Sequence, residues 1–432
     1  MTLVRRPLAI RAEIAVPPDK SISHRSLIFN AIASGEAHVS NLLDSEDIRS
    51  TQRCLQQLGA EIAWPEGGNT ATVSGTGLHG LFESDDVLDC GNSGTTMRLL
   101  AGLLAGNRLL SILTGDASLR RRPMARIIGP LRSMGATMFA RTGDTLPPLV
   151  IKGGDLRGMH YESPVASAQV KSALLLAGLY ADGATEVTEP SASRDHTERM
   201  LTAMGAQLTA EPGRARIEPG TQLAPLSMHV PGDISSAAPW MVLAACHPSA
   251  EIRLTNVNVN PTRTGMLEIM QQMGADIEVL EERLSGGEPI ADLHVRSSQL
   301  RATDVGGDLV PRAIDELPLV AILGAHAKGT TVVRDAAELR VKESDRVEAV
   351  TRVLGRMGAT VHAREDGFEV EGPAELTGTR VDGGGDHRVG MLGAIAGCLA
   401  GGETQVDDDA VGVSYPGFWG ELARATGSGV NA

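Results

Sequence analysis

Apolar and polar positions follow a long-period pattern along this chain, and the pattern occurs six times. Each cycle contains a helix-length stretch that is apolar nearly all round, opened by polar residues and closed by a small-residue break and a short β-like run. The six copies are "KSISHRSLIFNAIASGEAHVSN" from Lys20, "SGTTMRLLAGLLAGNRLLSILTG" from Ser93, "SAQVKSALLLAGLYADGATEVTE" from Ser167, "DISSAAPWMVLAACHPSAEIRLTN" from Asp233, "DELPLVAILGAHAKGTTVVRD" from Asp315 and "DHRVGMLGAIAGCLAGGETQVDD" from Asp386. A helix without a polar face belongs in the interior.

A second phrase interleaves with the first: "CLQQLGAEIAW" at Gly59, "PLRSMGATMFA" at Gly135, "MLTAMGAQLTA" at Gly205, "IMQQMGADIEV" at Gly274, "VLGRMGATVHA" at Gly358, and a degenerate "ELARATGSGV" at Gly427. These helices carry more charge and belong outside; each ends on a glycine suited to positive φ, and a strand follows. β-Rich stretches such as "TATVSG", "PLVIKG" and "SMHVPG" lie between. The pattern predicts six α/β units of roughly 70 residues, the size of one supersecondary unit with its connections. Six units as three plus three suit the two domains that 432 residues imply. The least patterned connection, "APLSMHVPGDISS", is one crossing, and "VPPDK" is the other if the N-terminal strand pairs with the C-terminal half. The expected division is residues 1–17 plus 232–432 in one domain and 18–231 in the other, with an active site in the cleft between them.

Composition narrows the partners. A formal net charge of −14 argues against duplex DNA or an acidic membrane, and 3% aromatics leave little for a base-stacking surface. No nucleic acid and no membrane are therefore expected. Cys54, Cys90, Cys246 and Cys398 are dispersed without zinc spacing and read as buried thiols in a reducing compartment. The N-terminal stretch lacks an apolar signal core, and no run of about 18 apolar residues occurs. A cytoplasmic protein is expected.

Against that acidic background, the polar residues gather at the starts of the apolar helices: Lys20–Arg25, Asn92–Arg98, Ser167–Lys171, Asp233–Ser236, Asp315–Glu316 and Asp386–Arg388. Helix N-termini offer free N–H groups and the positive end of the helix dipole to an anion. In "DKSISHR", Ser21 is a plausible N-cap, with Lys20 before it and Arg25 one turn on; a plain cap with solvated charges is an equal reading of that stretch alone. The glycine loop "LDCGNSGTTMR" can cradle an anion in its amides but lacks the Walker ending. "GDASLRRRPM" is either a surface basic run or a set of guanidinium forks, while "VASAQVKS" and "SRDHTERM" supply Ser167, Gln169, Lys171 and Arg194. Asp195 with His196 has no third metal ligand, and His24, His387 and His247 complete no nucleophilic triad. In "LRVKESDR", Lys342, Glu343, Asp345 and Arg346 alternate in sign; a carboxylate held between cations there is a candidate proton carrier.

In order along essentially the whole chain, "PPDKSISHR", "GNSGTTMRL", "RRPM", "SAQVKSA", "DELP", "RVKESDR", "DHR" and "SYPGF" resemble the 5-enolpyruvylshikimate-3-phosphate synthase family. The resemblance implies an α/β fold of two similar domains, each of three βαβαββ repeats in an inside-out α/β barrel. It also implies transfer of the enolpyruvyl group of phosphoenolpyruvate to the 5-hydroxyl of shikimate 3-phosphate, with release of phosphate, on the way to aromatic amino acids. Neither a cofactor nor a metal is implied, and a monomer is expected. Carried over by position, Lys20, Ser21 and Arg25 bind substrates. Gly94 and Arg122 hold phosphoenolpyruvate, Gln169 bridges the ligands, and Ser167, Ala168 and Arg194 hold shikimate 3-phosphate. Asp315 is the implied base at the 5-hydroxyl and Glu343 the acid at C3, with Lys20 also catalytic; Lys342 contacts the shikimate ligand, and Arg346 and Arg388 contact phosphoenolpyruvate. Val413, Ala168 and Ser193 stand where some members carry lysine, serine and tyrosine, a pattern closer to the class II branch, whose members often tolerate glyphosate. Gly94 is retained where some tolerant members have alanine.

Overall fold

The computed structural model describes residues 1–407, 410–427 and 430–431. Asp408 of the sixth apolar phrase, Ser428 and Gly429 of the sixth glycine phrase, and the side chain of Val413 lie outside the described residues.

The chain forms two compact units. One comprises Met1–Pro17, Gly232–Arg283 and Pro289–Ala432; the other comprises Pro18–Pro231 with Leu284–Glu288. The latter five residues are the tip of the hairpin formed by Asp276–Ser285 and Glu288–Arg296. Each unit has its own apolar core.

Six four-stranded sheets, three per unit, carry one pattern. In each, an edge strand pairs parallel with its neighbour, and that neighbour pairs antiparallel with the third strand. This is the pattern of the βαβαββ repeat, and in four sheets a helical crossover makes the parallel pair. In the other two the parallel strand comes from a distant segment, Met228–His229 beside Ser34–Ser40 and Ile10–Ile14 beside Ala250–Asn258. Two of the sheets are completed by N-terminal strands. Ile10–Ile14 lies parallel to Ala250–Asn258, and Thr2–Arg5 lies between Glu403–Val406 and Val430–Asn431.

The apolar phrases form the buried helices, Lys20–Ala31, Gly94–Ala105 and Ala168–Gly178 in one unit and Ile234–Cys246, Leu317–His326 and His387–Leu399 in the other. Side chains cap five of the six. The Asp19, Ser93, Ser167, Asp233 and Asp386 side chains accept from the N–H groups of Ile22, Thr96, Val170, Ser235 and Arg388. The cap of the first helix is thus Asp19, not Ser21. Its carboxylate reaches the third helical N–H, so Lys20 becomes the first helical residue and Ser21 lies in the first turn. Of the cysteines, Cys54, Cys90 and Cys398 are buried, but Cys246, the last residue of its helix, is only partly so. No helix among the described residues is long and apolar enough to cross a membrane.

All six repeat glycines, Gly59, Gly135, Gly205, Gly274, Gly358 and Gly427, have positive φ, as a left-handed helix terminus requires. At Gly205 (φ 90°) an added Cβ meets nothing within 4 Å, whereas at Gly59 (φ 101°) it would lie 2.2 Å from the Phe82 ring. Gly205→Ala should therefore cost only the backbone strain, about 1–2 kcal/mol. Gly59→Ala should lower the melting temperature further, because the ring must also leave. Equal melting temperatures would mean that Phe82 contributes nothing to that terminus.

Candidate active site

In the unit built on residues 18–231, the three buried helix starts are stitched together by polar side chains. Lys20 pairs with Asp47, in the first turn of the Glu46–Gln57 helix. Arg25 is buried; its Nη1 donates to the Ser21 carbonyl at 3.0 Å, its Nε to Thr197 Oγ1 at 2.8 Å and its Nη2 to Ser172 Oγ at 2.8 Å. Ser172 Oγ in turn donates to the carbonyl of Ala168 at 2.6 Å. Burial lowers the Arg25 guanidinium to about 10 against the opposing pull of Glu198, so it is a poorly solvated cation that an incoming anion would stabilise. Arg194 contributes further positive charge there.

The glycine loop adds a second group of cations. Arg98 Nη1 donates to Gln169 Oε1 at 2.5 Å, Gln169 Nε2 donates to Thr95 Oγ1 at 2.9 Å, and Arg122 Nη2 donates to Asn92 Oδ1 at 2.7 Å. Burial, then the neighbouring Arg122 and Arg126, lowers Arg98 to about 10. A Cβ on Gly94 would lie 2.9 Å from Arg98 Nη1 and 3.4 Å from Arg122 Nη1, so the glycine keeps open the space these two guanidinium groups face. All nine candidates from this half (Lys20, Ser21, Arg25, Gly94, Arg122, Ser167, Ala168, Gln169 and Arg194) fall in this connected polar region.

In the other unit, three cations converge on Asp315. Its carboxylate lies 4.0 Å from Lys342 Nζ, 3.7 Å from Arg346 Nη1 and 3.9 Å from Arg388 Nη2. Glu343 accepts from Arg346 Nη2 at 2.6 Å and keeps a largely accessible carboxylate. Arg346 is buried and anchored through Nε to Asp386 Oδ2 at 2.9 Å. Asp386 is itself fully buried, caps the His387–Leu399 helix and accepts from Ser344 Oγ at 2.9 Å. Burial alone would raise the Asp386 carboxyl; Arg346 more than reverses this and holds it below the usual range. A small cavity beside Asp315, lined also by Ser235, Pro318 and Arg388, touches the starts of all three buried helices of this unit. Burial, then Arg388, lowers His387 to about 4, which leaves it neutral near pH 7 and unable to serve there as an acid. Asp315, Lys342, Glu343, Arg346 and Arg388 thus form one cluster.

Some members of these clusters escaped sequence reasoning. Arg98 was evident as a helix-start cation, but its bond to Gln169 spans 71 residues. Asp47 lies outside every motif; Ser172, Thr197 and Asp386 stand within "SAQVKSA", "SRDHTERM" and "DHR", but nothing local marks them as anchors of the cations. "SYPGF" is a packing element: Tyr415 and Phe418 are buried, and the Tyr415 hydroxyl accepts from Trp240 Nε1 at 3.0 Å. Among the described residues, no group of three or more His, Cys, Asp or Glu is gathered as a metal site.

Six βαβαββ repeats in two units, with cationic and polar groups at the buried helix starts, are the architecture of an enolpyruvyl transferase. The enolpyruvyl transferase NikO from Streptomyces tendae has this fold, matching the whole chain with a TM-score of 0.77 at 16% identity and 98% of its own chain covered. The model of the family described as EPSP synthase (3-phosphoshikimate 1-carboxyvinyltransferase) matches residues 4–422. The 3-phosphoshikimate 1-carboxyvinyltransferase of Citrifermentans bemidjiense is 50% identical over 416 residues, covering 96% of both chains. That of Herpetosiphon aurantiacus is 52% identical over 419 residues, covering 96% of this chain and 97% of its own. The solved EPSP synthase of Acinetobacter baumannii matches the whole chain, and 99% of its own, with a TM-score of 0.93 at 43% identity. The chain belongs to the EPSP synthase family.

Proposed function

We propose that this chain transfers the 1-carboxyvinyl group of phosphoenolpyruvate to the 5-hydroxyl of shikimate 3-phosphate, as a cytosolic monomer, with the two clusters serving one reaction. The observation that carries this reading is the Asp315 cluster: a carboxylate within 4.0 Å of three cations, with a second, accessible carboxylate, Glu343, on one of those cations. Both substrates bring phosphate and carboxylate groups, which suits such a concentration of guanidinium and ammonium groups in a chain of net charge −14.

The steps balance without a cofactor. Glu343 gives a proton to the C3 methylene of phosphoenolpyruvate, and C2 becomes electrophilic. The 5-hydroxyl adds to C2 as Asp315 takes its proton, which gives a tetrahedral ketal phosphate. Loss of inorganic phosphate, which carries off the proton that Asp315 took, and of one methyl proton, returned to Glu343, regenerates the double bond and both carboxyl groups. Arg122 and Arg98 beside Gly94, with Arg346 and Arg388, stabilise the phosphate and carboxylate of phosphoenolpyruvate. Lys20 reaches both ligands, Gln169 bridges them, and Ser21 and Arg25 complete the binding around them. Ser167, Ala168, Arg194 and Lys342 hold the shikimate ligand.

Transfer to a UDP-sugar uses the same fold but usually a reactive loop cysteine. The arginine loop here has none. Cys90 is buried, and its hydrogen bond with Cys54, then burial, pushes its thiol well above the ordinary range. Incubation with phosphoenolpyruvate plus either acceptor, followed by phosphate measurement, should give release with shikimate 3-phosphate alone. Release with only UDP-N-acetylglucosamine would overturn the substrate assignment, and no release with either would indicate a binding scaffold.

A further inference from the structure

We propose that Glu189 and Lys171, backed by Glu198, are positioning residues that fix the spacing between the two segments assigned above to shikimate 3-phosphate. The inference rests on that assignment of Ser167, Ala168 and Arg194.

The three groups come from three elements: Lys171 from the Ala168–Gly178 helix, Glu189 from the residue after the Thr185–Thr188 strand, and Glu198 from the His196–Ala203 helix. Their side chains are 4%, 1% and 5% exposed, so this ionic group is almost wholly removed from solvent. Lys171 Nζ lies 3.0 Å from Glu189 Oε2 and 2.8 Å from Glu198 Oε1.

The two oxygens of Glu189 hold different segments. Oε1 accepts from the backbone N–H of Ser167 at 2.6 Å, and Oε2 accepts from the hydroxyl of Ser193 at 2.7 Å. Lys171 Nζ also donates to the Ser193 carbonyl at 3.4 Å. One carboxylate therefore ties the start of the helix carrying Ser167, Ala168 and Gln169 to the turn that presents Arg194. Lys171 is oriented away from ligand duty by its two carboxylates. Burial would lower its ammonium, yet Glu198 and Glu189 together raise it, so it stays charged.

An apolar cluster could fill this volume at less desolvation cost, since a buried ion pair is weak as a stabiliser. What an apolar cluster cannot do is accept two hydrogen bonds in fixed directions from segments 26 residues apart in sequence, Ser167 and Ser193. Glu198 has a further effect: it is the foremost of the carboxylates supporting the charge of buried Arg25, so the same triad borders the neighbouring anion-binding side chain.

Glu189→Gln keeps the shape but removes the charge and one acceptor. Loss of a charge-assisted bond at this position should raise KM for shikimate 3-phosphate by about tenfold or more. KM for phosphoenolpyruvate and kcat should stay within about threefold, and thermal unfolding is recorded alongside. Ser193→Ala, at a half-buried position, removes only the hydroxyl and should give a smaller rise confined to the same substrate. If both KM values move together with a lowered melting temperature, or if neither moves in either variant, the positioning role is wrong. Should Glu189→Gln fail to fold, Ser193→Ala decides alone by the same criterion. Arg194→Ala separates the two layers of the argument. If it leaves KM for shikimate 3-phosphate unchanged, the assignment of this segment fails. If it raises that KM while the other two variants do not, the positioning proposal alone fails.

Discussion

Glu343→Gln should lower kcat by about two to four orders of magnitude while both substrates still bind, the range expected when a positioned proton carrier is lost. The substitution is chosen because it is structurally mild. Glu343 accepts from Arg346 Nη2, which an amide oxygen can also do, and Arg346 keeps its anchor on Asp386. What the amide cannot do is give or take the C3 proton. Calorimetric binding of each ligand and single-turnover phosphate release measure the two effects separately. A kcat within threefold of the parent would remove Glu343 from proton transfer and leave Asp315 as the candidate for both steps.

Asp386→Asn should destabilise the unit that contains it by about 3–5 kcal/mol, because it leaves the Arg346 guanidinium, 1% exposed, without its buried counter-ion. Asparagine is still a good N-cap, so the helix start itself loses little. Glu343 and Asp315 remain near Arg346 and place the expected loss toward the lower end of that range. The pH dependence has a definite sign. The folded Asp386 carboxyl lies below its unfolded value of about 4, so its contribution is complete above that value and is lost as pH falls through the lower, folded one. Thermal melts should show the full gap between parent and variant at pH 7 and a narrowing gap only below about pH 4. A gap that stays constant into acid would mean that the Arg346–Asp386 pair is not its source.

The parts of the fold most legible in sequence were those with a strict residue requirement. A left-handed helix terminus strongly favours glycine, so six phrases marked six helix ends, and each glycine has positive φ. Helices apolar on every side had no stable place except the interior. Caps were less legible: Asp19 and Ser21 are both good cap residues two positions apart, and only the bond to the Ile22 N–H decides between them. Site cations were legible by their position at helix starts, but their partners were not. Lys171 has the same sequence context as Lys20, a lysine at a buried helix start, yet it is consumed by Glu189 and Glu198 while Lys20 pairs with Asp47 at a half-exposed position. That difference depends on residues 18 and 27 positions further along the chain from Lys171, which no local pattern reports.

The placement of the N-terminal strands has a consequence for how the molecule is made. Ile10–Ile14 finds its parallel partner only at Ala250–Leu254, and Thr2–Arg5 finds its partners only beyond residue 402. As the chain leaves the ribosome, its first strands must therefore wait while the contiguous segment 18–231 collapses on itself. That segment in turn is not sealed until Glu288 arrives to meet buried His196, 2.9 Å from its Nδ1. Synthesis order and assembly order are thus opposed at the two crossings. The strands that precede segment 18–231 are paired only after it has been made, with high contact order in that half and lower contact order in the other.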